Sequence, residues 1–182
     1  MTDRWYSETL YPDFRQTFEV TRVLYDGRSG FQGIVIFENP RFGRVLVLDG
    51  VIQTTERDEF CYHEMITHVP MVAHGQARRV LIVGGGDGGS SEEALKHPSV
   101  ESVTMVEIDG DVIQVAKEHF QAVHNGVFDN PKLQVRVEDG MKYVRETQEK
   151  FDLVALDLND PVGPAAALYS TEFFQQLRQV LA

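Results

Sequence analysis

Arg79-Val80-Leu81-Ile82-Val83-Gly84-Gly85-Gly86-Asp87-Gly88-Gly89 is the stretch that decides the fold. Four consecutive apolar residues suit a strand buried on both faces, and the glycines after them suit a tight turn into a helix. The rhythm repeats downstream. Val103-Thr104-Met105-Val106 runs into Glu107-Ile108-Asp109, residues 111–120 are helical in pattern, Leu133 to Val137 reads as a third strand, and Leu153-Val154-Ala155-Leu156 as a fourth. Apolar strands alternating with helices imply a parallel, doubly wound α/β sheet covered on both faces. A last helix, roughly Thr171 to Leu181, stands where such a sheet ordinarily goes on to another strand, so the fourth strand is expected to carry an open edge.

Upstream the pattern is different. Phe18 to Tyr25, Gly33 to Phe37 and Arg44 to Leu48 read as short strands, and Asp49-Gly50 between Val-Leu-Val-Leu and Val-Ile-Gln-Thr-Thr predicts a two-residue hairpin turn. Residues 1–56 are therefore expected to form a small antiparallel β-domain, with residues 57–182 forming the α/β domain. A helix is predicted from Asp58 to Ala73, with Thr55 and Asp58 at capping-box spacing, and Phe60, Met65, Ile66 and Val69 on its apolar side. Pro70 is expected to kink it or end it early.

The chain has 182 residues, 42% of them hydrophobic and 25% charged, enough to bury a core. Its net charge of −11, from 17 basic and 28 acidic residues, disfavours nucleic acid and favours cationic ligands. A single cysteine, Cys61, excludes an internal disulfide and an all-cysteine zinc site, and reads as a packed thiol of a cytoplasmic protein. No apolar run reaches membrane-spanning length. Six histidines are scattered, and His63 and His68, five apart, share a helix face poorly, so no metal is expected.

Three segments are candidates for chemistry. The glycine loop presents helix N–H groups and permits close approach of a ligand, although a plain structural turn has the same composition. Asp87 within it shifts the balance toward a site for a cationic ligand, because a carboxylate repels phosphate and attracts a cation. Glu107, 20 residues beyond and at a strand end, has the placement that accepts hydrogen bonds from both ribose hydroxyls. Together they specify a nucleoside without a pyrophosphate, such as an S-adenosyl compound. Asp139-Gly140 lies on the same edge and can accept from an adenine amino group, and Asp157 and Asp160 in the loop after the fourth strand bring further carboxylates to the switch point of the sheet.

With these motifs assembled, the sequence resembles the spermidine synthases, the polyamine aminopropyltransferases. The resemblance rests on Gly84 to Gly89, Val106-Glu107-Ile108-Asp109, Asp139-Gly140 and Asp157-x-x-Asp160-Pro161-x-Gly163-Pro164. It extends through Leu46 to Phe60 and Tyr62-His63-Glu64-Met65, and so covers essentially the whole chain. It implies a Rossmann-like, methyltransferase-type domain and transfer of an aminopropyl group from decarboxylated S-adenosylmethionine, as co-substrate, to putrescine, giving spermidine and 5′-methylthioadenosine without metal or permanently bound cofactor. By that likeness Glu107 holds the ribose, Asp139 and Gly140 the adenine beside Pro164, and Gln32 and Gln53 face the donor. Asp87 holds the aminopropyl ammonium, Tyr62, His63 and Asp160 position amines, and Asp157 is the base. The resemblance also implies a homodimer or homotetramer.

Departures from the family pattern qualify this expectation. Glu92-Glu93 stands where members commonly have Arg-Glu, and Leu158-Asn159 where they often have small hydroxyl residues, which leaves agmatine or a longer polyamine open as acceptor. Members also continue beyond the position of Ala182 with strands that help form the acceptor pocket. The chain is accordingly expected to be a fragment that alone binds donor weakly and turns over poorly. The rival activities are an S-adenosylmethionine-dependent methyltransferase and a binding module without catalysis.

Overall fold

A computed structural model describes residues 5–161 and 163–182, with side chains throughout except at residues 163 and 164. Strands β1 (Trp5–Ser7) and β2 (Thr17–Glu19) pair antiparallel. Strands β3 (Arg22–Arg28), β4 (Gly33–Asn39), β5 (Gly43–Leu48) and β6 (Val51–Thr55) form an antiparallel sheet in that order. The apolar run from Phe18 to Tyr25 is divided between β2 and β3 rather than continuous. Asp49 and Gly50 adopt φ of +46° and +86°, the left-handed pair that a two-residue hairpin turn requires. Between Leu46 and Val47 the β5–β6 register shifts, which leaves Gln53 as the unpaired bulge residue.

Helix α1 (Glu59–His74) leads to the parallel sheet, built from β7 (Arg79–Gly84), β8 (Ser102–Glu107), β9 (Leu133–Val137) and β10 (Leu153–Asp157). Its spatial order is β9-β8-β7-β10, so β7 is central and the chain reverses direction of build between β9 and β10. Between the strands run α2 (Gly89–Leu95), α3 (Gly110–His119), the short α4 (Gln121–His124) and α5 (Gly140–Glu146), and α6 (Thr171–Val180) follows β10. Alternation along each strand divides the core. Val80, Ile82, Val103, Met105 and Ala155 face one layer with Met71 and Ala94, while Leu81, Val83 and Val106 face the other with Phe173 and Leu177. A third cluster packs Ile34, Ile36, Leu46 and Leu48 of the β-sheet onto Val112, Val115, Phe120 and Val123, so α3 and α4 anchor the two sheets to each other. Each such side chain, fully buried, contributes about 1.5–3 kcal/mol.

Helix α1 departs from its sequence pattern in three ways. It runs through Pro70 and stops at Gly75, whose φ of +82° makes the left-handed cap. The capping box does not form: the Thr55 hydroxyl is spent on the Asp58 carboxylate at 2.5 Å, and Asp58, the N-cap, makes no side-chain cap bond. The buried face is His63, Thr67 and Met71, whereas Phe60, Met65 and Val69 are 47%, 63% and 55% exposed. The cause lies in what α1 packs against. Helix α2 opens with Gly89 and Ser90, leaving room for the ring of His63 to sit directly on the Gly89 backbone. Cys61 is likewise exposed rather than packed.

Beyond β10, the Phe151 N–H donates to Val180 O at 2.9 Å and the Ala182 N–H to Phe151 O at 2.9 Å, a single parallel bridge. The remainder of that edge has no strand partner among the described residues. No helix among them is long and apolar enough to cross a membrane.

Candidate active site

The glycine loop joins β7 to α2 at the place where the sheet's strand order reverses. Gly84, Gly85 and Gly88 have φ of +84°, +72° and +86°, a left-handed conformation that side chains disfavour. The Gly85 N–H donates to the Asp157 carbonyl at 2.9 Å, and a Cβ on Gly84 would collide with that same oxygen. The loop is thus fastened to the end of β10, and the strand ends bearing Asp87 and Asp157 become one site.

Three side chains meet there. One ligating atom each from His63, Asp87 and Asp157 lies within 4.8 Å of the others. His63 Nε2 is 3.4 Å from Asp87 Oδ2, and His63 Nδ1 is 2.6 Å from Glu59 Oε2. Burial disfavours the charged ring, but hydrogen bonds to Asp87 and Glu59 and the Asp87 and Asp157 charges outweigh it, raising its pKa to about 11. With the ring held as an imidazolium, the three side chains form an ion cluster. Burial also opposes the charge on Asp87, yet His63 and the Gly89 N–H, which donates to Asp87 Oδ1 at 2.9 Å, hold its pKa below the usual value. Asp157 goes the other way. Burial first, then the Asp87 charge, push it up, and its Oδ2 is buried with no hydrogen-bond partner.

Glu107 flanks the loop, its side chain against Gly86. Burial, with Asp109 and Asp157 adding, raises its pKa to about 7 against the hydrogen bond it accepts from the Asp109 N–H at 2.9 Å. A raised acid contributes stability that is complete below its ordinary value of 4.5 and is lost as pH climbs through about 7. Glu107→Gln should therefore flatten the pH dependence of unfolding between pH 5 and 8 and stabilise the chain at pH 8 by on the order of 2 kcal/mol. Urea unfolding at the two pH values checks this, and unchanged pH dependence would contradict it.

The other sequence candidates fall into two groups. Gln32 is drawn in from the β-domain: its Nε2 donates to Asp109 Oδ2 at 2.9 Å, and its Oε1 accepts from Asn159 Nδ2 at 3.4 Å. Gly140 is buried against Val83. Tyr62 is half-exposed and faces Asp157, burial and that carboxylate together raising its pKa. Asp139 caps α5, its Oδ1 accepting from the Met141 N–H at 2.8 Å. Gln53, on the bulge, turns its amide back to Val51 O at 3.2 Å, and among the described residues no hydrogen bond joins it to the cluster. Asp160 is exposed, and the Pro164 side chain lies outside the described residues. Glu92, the departure from the pattern, is paired with Lys96 at 2.7 Å, away from the loop.

Two residues escaped the sequence reading. Glu59 reaches His63 from one helical turn back, a spacing legible in Glu59-Phe60-Cys61-Tyr62-His63 once His63 is known to be buried. Asp109, 1% exposed, accepts from Ser29 Oγ at 2.6 Å and from Gln32, and caps α3, tying the β-domain to the end of β8.

This arrangement has counterparts. Residues 59–182 match the spermine/spermidine synthase domain, and residues 4–56 the spermidine synthase tetramerisation domain. The chain is 53% identical to polyamine aminopropyltransferase 1 of Pseudomonas aeruginosa and 51% to the polyamine aminopropyltransferase of Pseudomonas syringae pv. tomato, each over 97% of this chain and 62% of the relative. A crystal structure of a spermidine synthase in complex with the transition-state analogue AdoDATO superposes with a TM-score of 0.94 at 42% identity, covering 100% of this chain and 62% of that one. Spermidine synthase from Thermotoga maritima gives 0.92 at 42% identity, covering 61% of that chain. The chain thus spans about 62% of the length of these relatives, and over that span it belongs to the spermine/spermidine synthase family.

Proposed function

We propose that this chain carries the donor site and general base of a polyamine aminopropyltransferase, acting on decarboxylated S-adenosylmethionine and putrescine to give spermidine and 5′-methylthioadenosine. The observation that carries this is a carboxylate, Asp87, inside the glycine loop, with the unpartnered oxygen of Asp157 beside it. A nucleotide site would place a phosphate there, and Asp87 would repel it. The aminopropyl ammonium of the donor fits instead. Glu107 receives the ribose, Asp139 and Gly140 the adenine, and Gln32 closes the donor side from the β-domain. Gln53, Tyr62, His63, Asp160 and Pro164 keep the roles that the resemblance implies for them.

The chemistry follows from charge. An alkylamine titrates near pH 10.4, so it attacks only after losing a proton. The Asp157 carboxylate takes that proton, the freed nitrogen lone pair bonds the methylene next to sulfur, and the carbon–sulfur bond breaks with its electron pair leaving on the sulfur of 5′-methylthioadenosine. The positive charge of the sulfonium thereby passes to the nitrogen, which is left as a secondary ammonium, and the proton on Asp157 goes to solvent. Two cations held side by side repel, and clustered carboxylates offset that repulsion. The Pseudomonas relatives are named polyamine aminopropyltransferases, and the protein in complex with AdoDATO is a spermidine synthase. The second reading of the acceptor is agmatine or a longer polyamine, from Leu158-Asn159 in place of small hydroxyl residues. We also propose self-association through the N-terminal β-sheet in the cytoplasm.

Incubation with decarboxylated S-adenosylmethionine and each amine, with products separated by chromatography, tests the reading. Spermidine plus methylthioadenosine is the expected outcome. Methyl transfer from intact S-adenosylmethionine, without aminopropyl transfer, would overturn it.

A further inference from the structure

Helix α1 supplies the donor site with a side chain that the proposed reaction leaves unused. Glu59 Oε2 lies 2.6 Å from His63 Nδ1, short for a nitrogen–oxygen hydrogen bond and typical of one between charged groups. The other ring nitrogen faces Asp87 Oδ2 at 3.4 Å, and Asp87 Oδ1 accepts from the Gly89 N–H at 2.9 Å. Both oxygens of Asp87 are therefore held, one by the first residue of α2 and one by the imidazole. The ring packs directly on the Gly89 backbone, where even a Cβ would collide with its Nδ1 and Cε1.

His63 is 2% exposed. A neutral imidazole has one N–H and one lone pair. In this pocket it would leave a lone pair facing either Glu59 or Asp87, an unpaired buried acceptor against a carboxylate. Only the doubly protonated ring satisfies both sides. Glu59 from α1, Asp87 from the loop and Asp157 from β10 are the charged groups that face it, with Tyr62 edge-on at 5.4 Å and His124 of α4 acting on Asp87 from the far side.

We infer that Glu59 is a positioning residue: it clamps His63 as an imidazolium, and His63 in turn fixes the Asp87 carboxylate in the orientation that receives a ligand ammonium. The clamp stands on the geometry alone, while its consequence for ligand binding rests on the donor-site reading proposed above. Without the Glu59 charge, the ring loses one of the two carboxylates that hold it charged and oriented, and its grip on Asp87 weakens.

The test is a side-chain nitrogen NMR titration of His63 in the whole chain and in Glu59→Gln, with affinities for decarboxylated S-adenosylmethionine and 5′-methylthioadenosine measured on both. The wild-type ring should stay doubly protonated through pH 8. In Glu59→Gln it should titrate at least about one pH unit lower, the loss expected when a neighbouring opposite charge is removed. Affinity for the ammonium-bearing donor should then fall about tenfold, the equivalent of one unit. Methylthioadenosine, which has no ammonium, should bind as before, and Glu59→Asp, which keeps the charge, should recover part of both effects. A purely structural role would weaken both ligands together. A neutral ring at pH 7 in the wild type, an unchanged titration in the variant, or equal loss of both ligands overturns the inference. If Glu59→Gln does not fold, the wild-type and Glu59→Asp titrations decide it. Failure of the wild type to bind either nucleoside would sink the donor-site reading and leave the titration to judge the clamp.

Discussion

Asp157→Asn should abolish aminopropyl transfer by the gene product that carries this sequence, a loss of about 10²- to 10⁴-fold, and at the same time raise the stability of the fold. The first effect follows from the proposed role of Asp157, whose buried Oδ2 has no hydrogen-bond partner among the described residues and would take the proton of the attacking amine. The second follows from linkage. Burial and the Asp87 charge raise the Asp157 pKa, so its stabilising contribution is complete below the ordinary value of 3.8 and is lost as pH rises through the folded value. At pH 7, far above the ordinary value, the cost of ionising this buried group opposes folding, and a neutral amide of the same shape removes that opposition. The gain in Tm should be present at pH 7 and disappear in acid. Methylthioadenosine affinity should be nearly unchanged, since in the proposed reaction Asp157 meets the amine and not the nucleoside. Retention of most turnover would place the base elsewhere, and a lowered Tm at pH 7 would reveal a stabilising partner for Asp157.

Gly84→Ala should be the most damaging single methyl in the chain, costing at least about 4 kcal/mol. Two effects combine. The residue has φ of +84°, and its new Cβ would meet the Asp157 carbonyl oxygen, with the carbonyl carbon at 3.0 Å and Leu158 Cδ2 at 3.2 Å. That carbonyl is held by the Gly85 N–H, and Gly84 and Asp157 are register partners in the β7–β10 pair, so neither side can retreat without opening the sheet. Gly75→Ala is the matched control. Its φ of +82° is the same, but nothing lies within 4 Å of the added methyl. It should cost only the left-handed strain, roughly 1–2 kcal/mol. Urea unfolding of both variants separates collision from strain, and equal costs would contradict the account of the loop.

Much of the fold was legible because the signals are local. Val80 to Val83 and Leu153 to Leu156 are too apolar for a surface, and Asp49-Gly50 has the residues its turn requires. The doubly wound sheet, and with it the meeting of Asp87 and Asp157 at the strand-order reversal, followed from alternation alone. Helix α1 was misread because its pattern scores hydrophobicity, while its packing is decided by an ion cluster. His63 is buried by two carboxylates and a glycine, which no hydrophobic periodicity records, and Met65 and Val69 are left outside. Gln53 was legible as a strand residue but not as a bulge, because a register shift is a property of two strands. Asp109 stood in the quoted motif without a role, since its partners Ser29 and Gln32 come from a turn 77 to 80 residues earlier.

On the proposed reading, Asp87 selects a donor whose ammonium stands without the neighbouring carboxylate of intact S-adenosylmethionine. Comparing the affinity of the chain for decarboxylated and intact S-adenosylmethionine, by calorimetry at one pH and ionic strength, tests it most directly. The two ligands share the adenosyl and sulfonium groups and differ by one carboxylate. The account predicts tighter binding of the decarboxylated donor by at least about tenfold, the effect of roughly 1.4 kcal/mol of charge repulsion at the loop. Equal affinities, or tighter binding of intact S-adenosylmethionine, would contradict it.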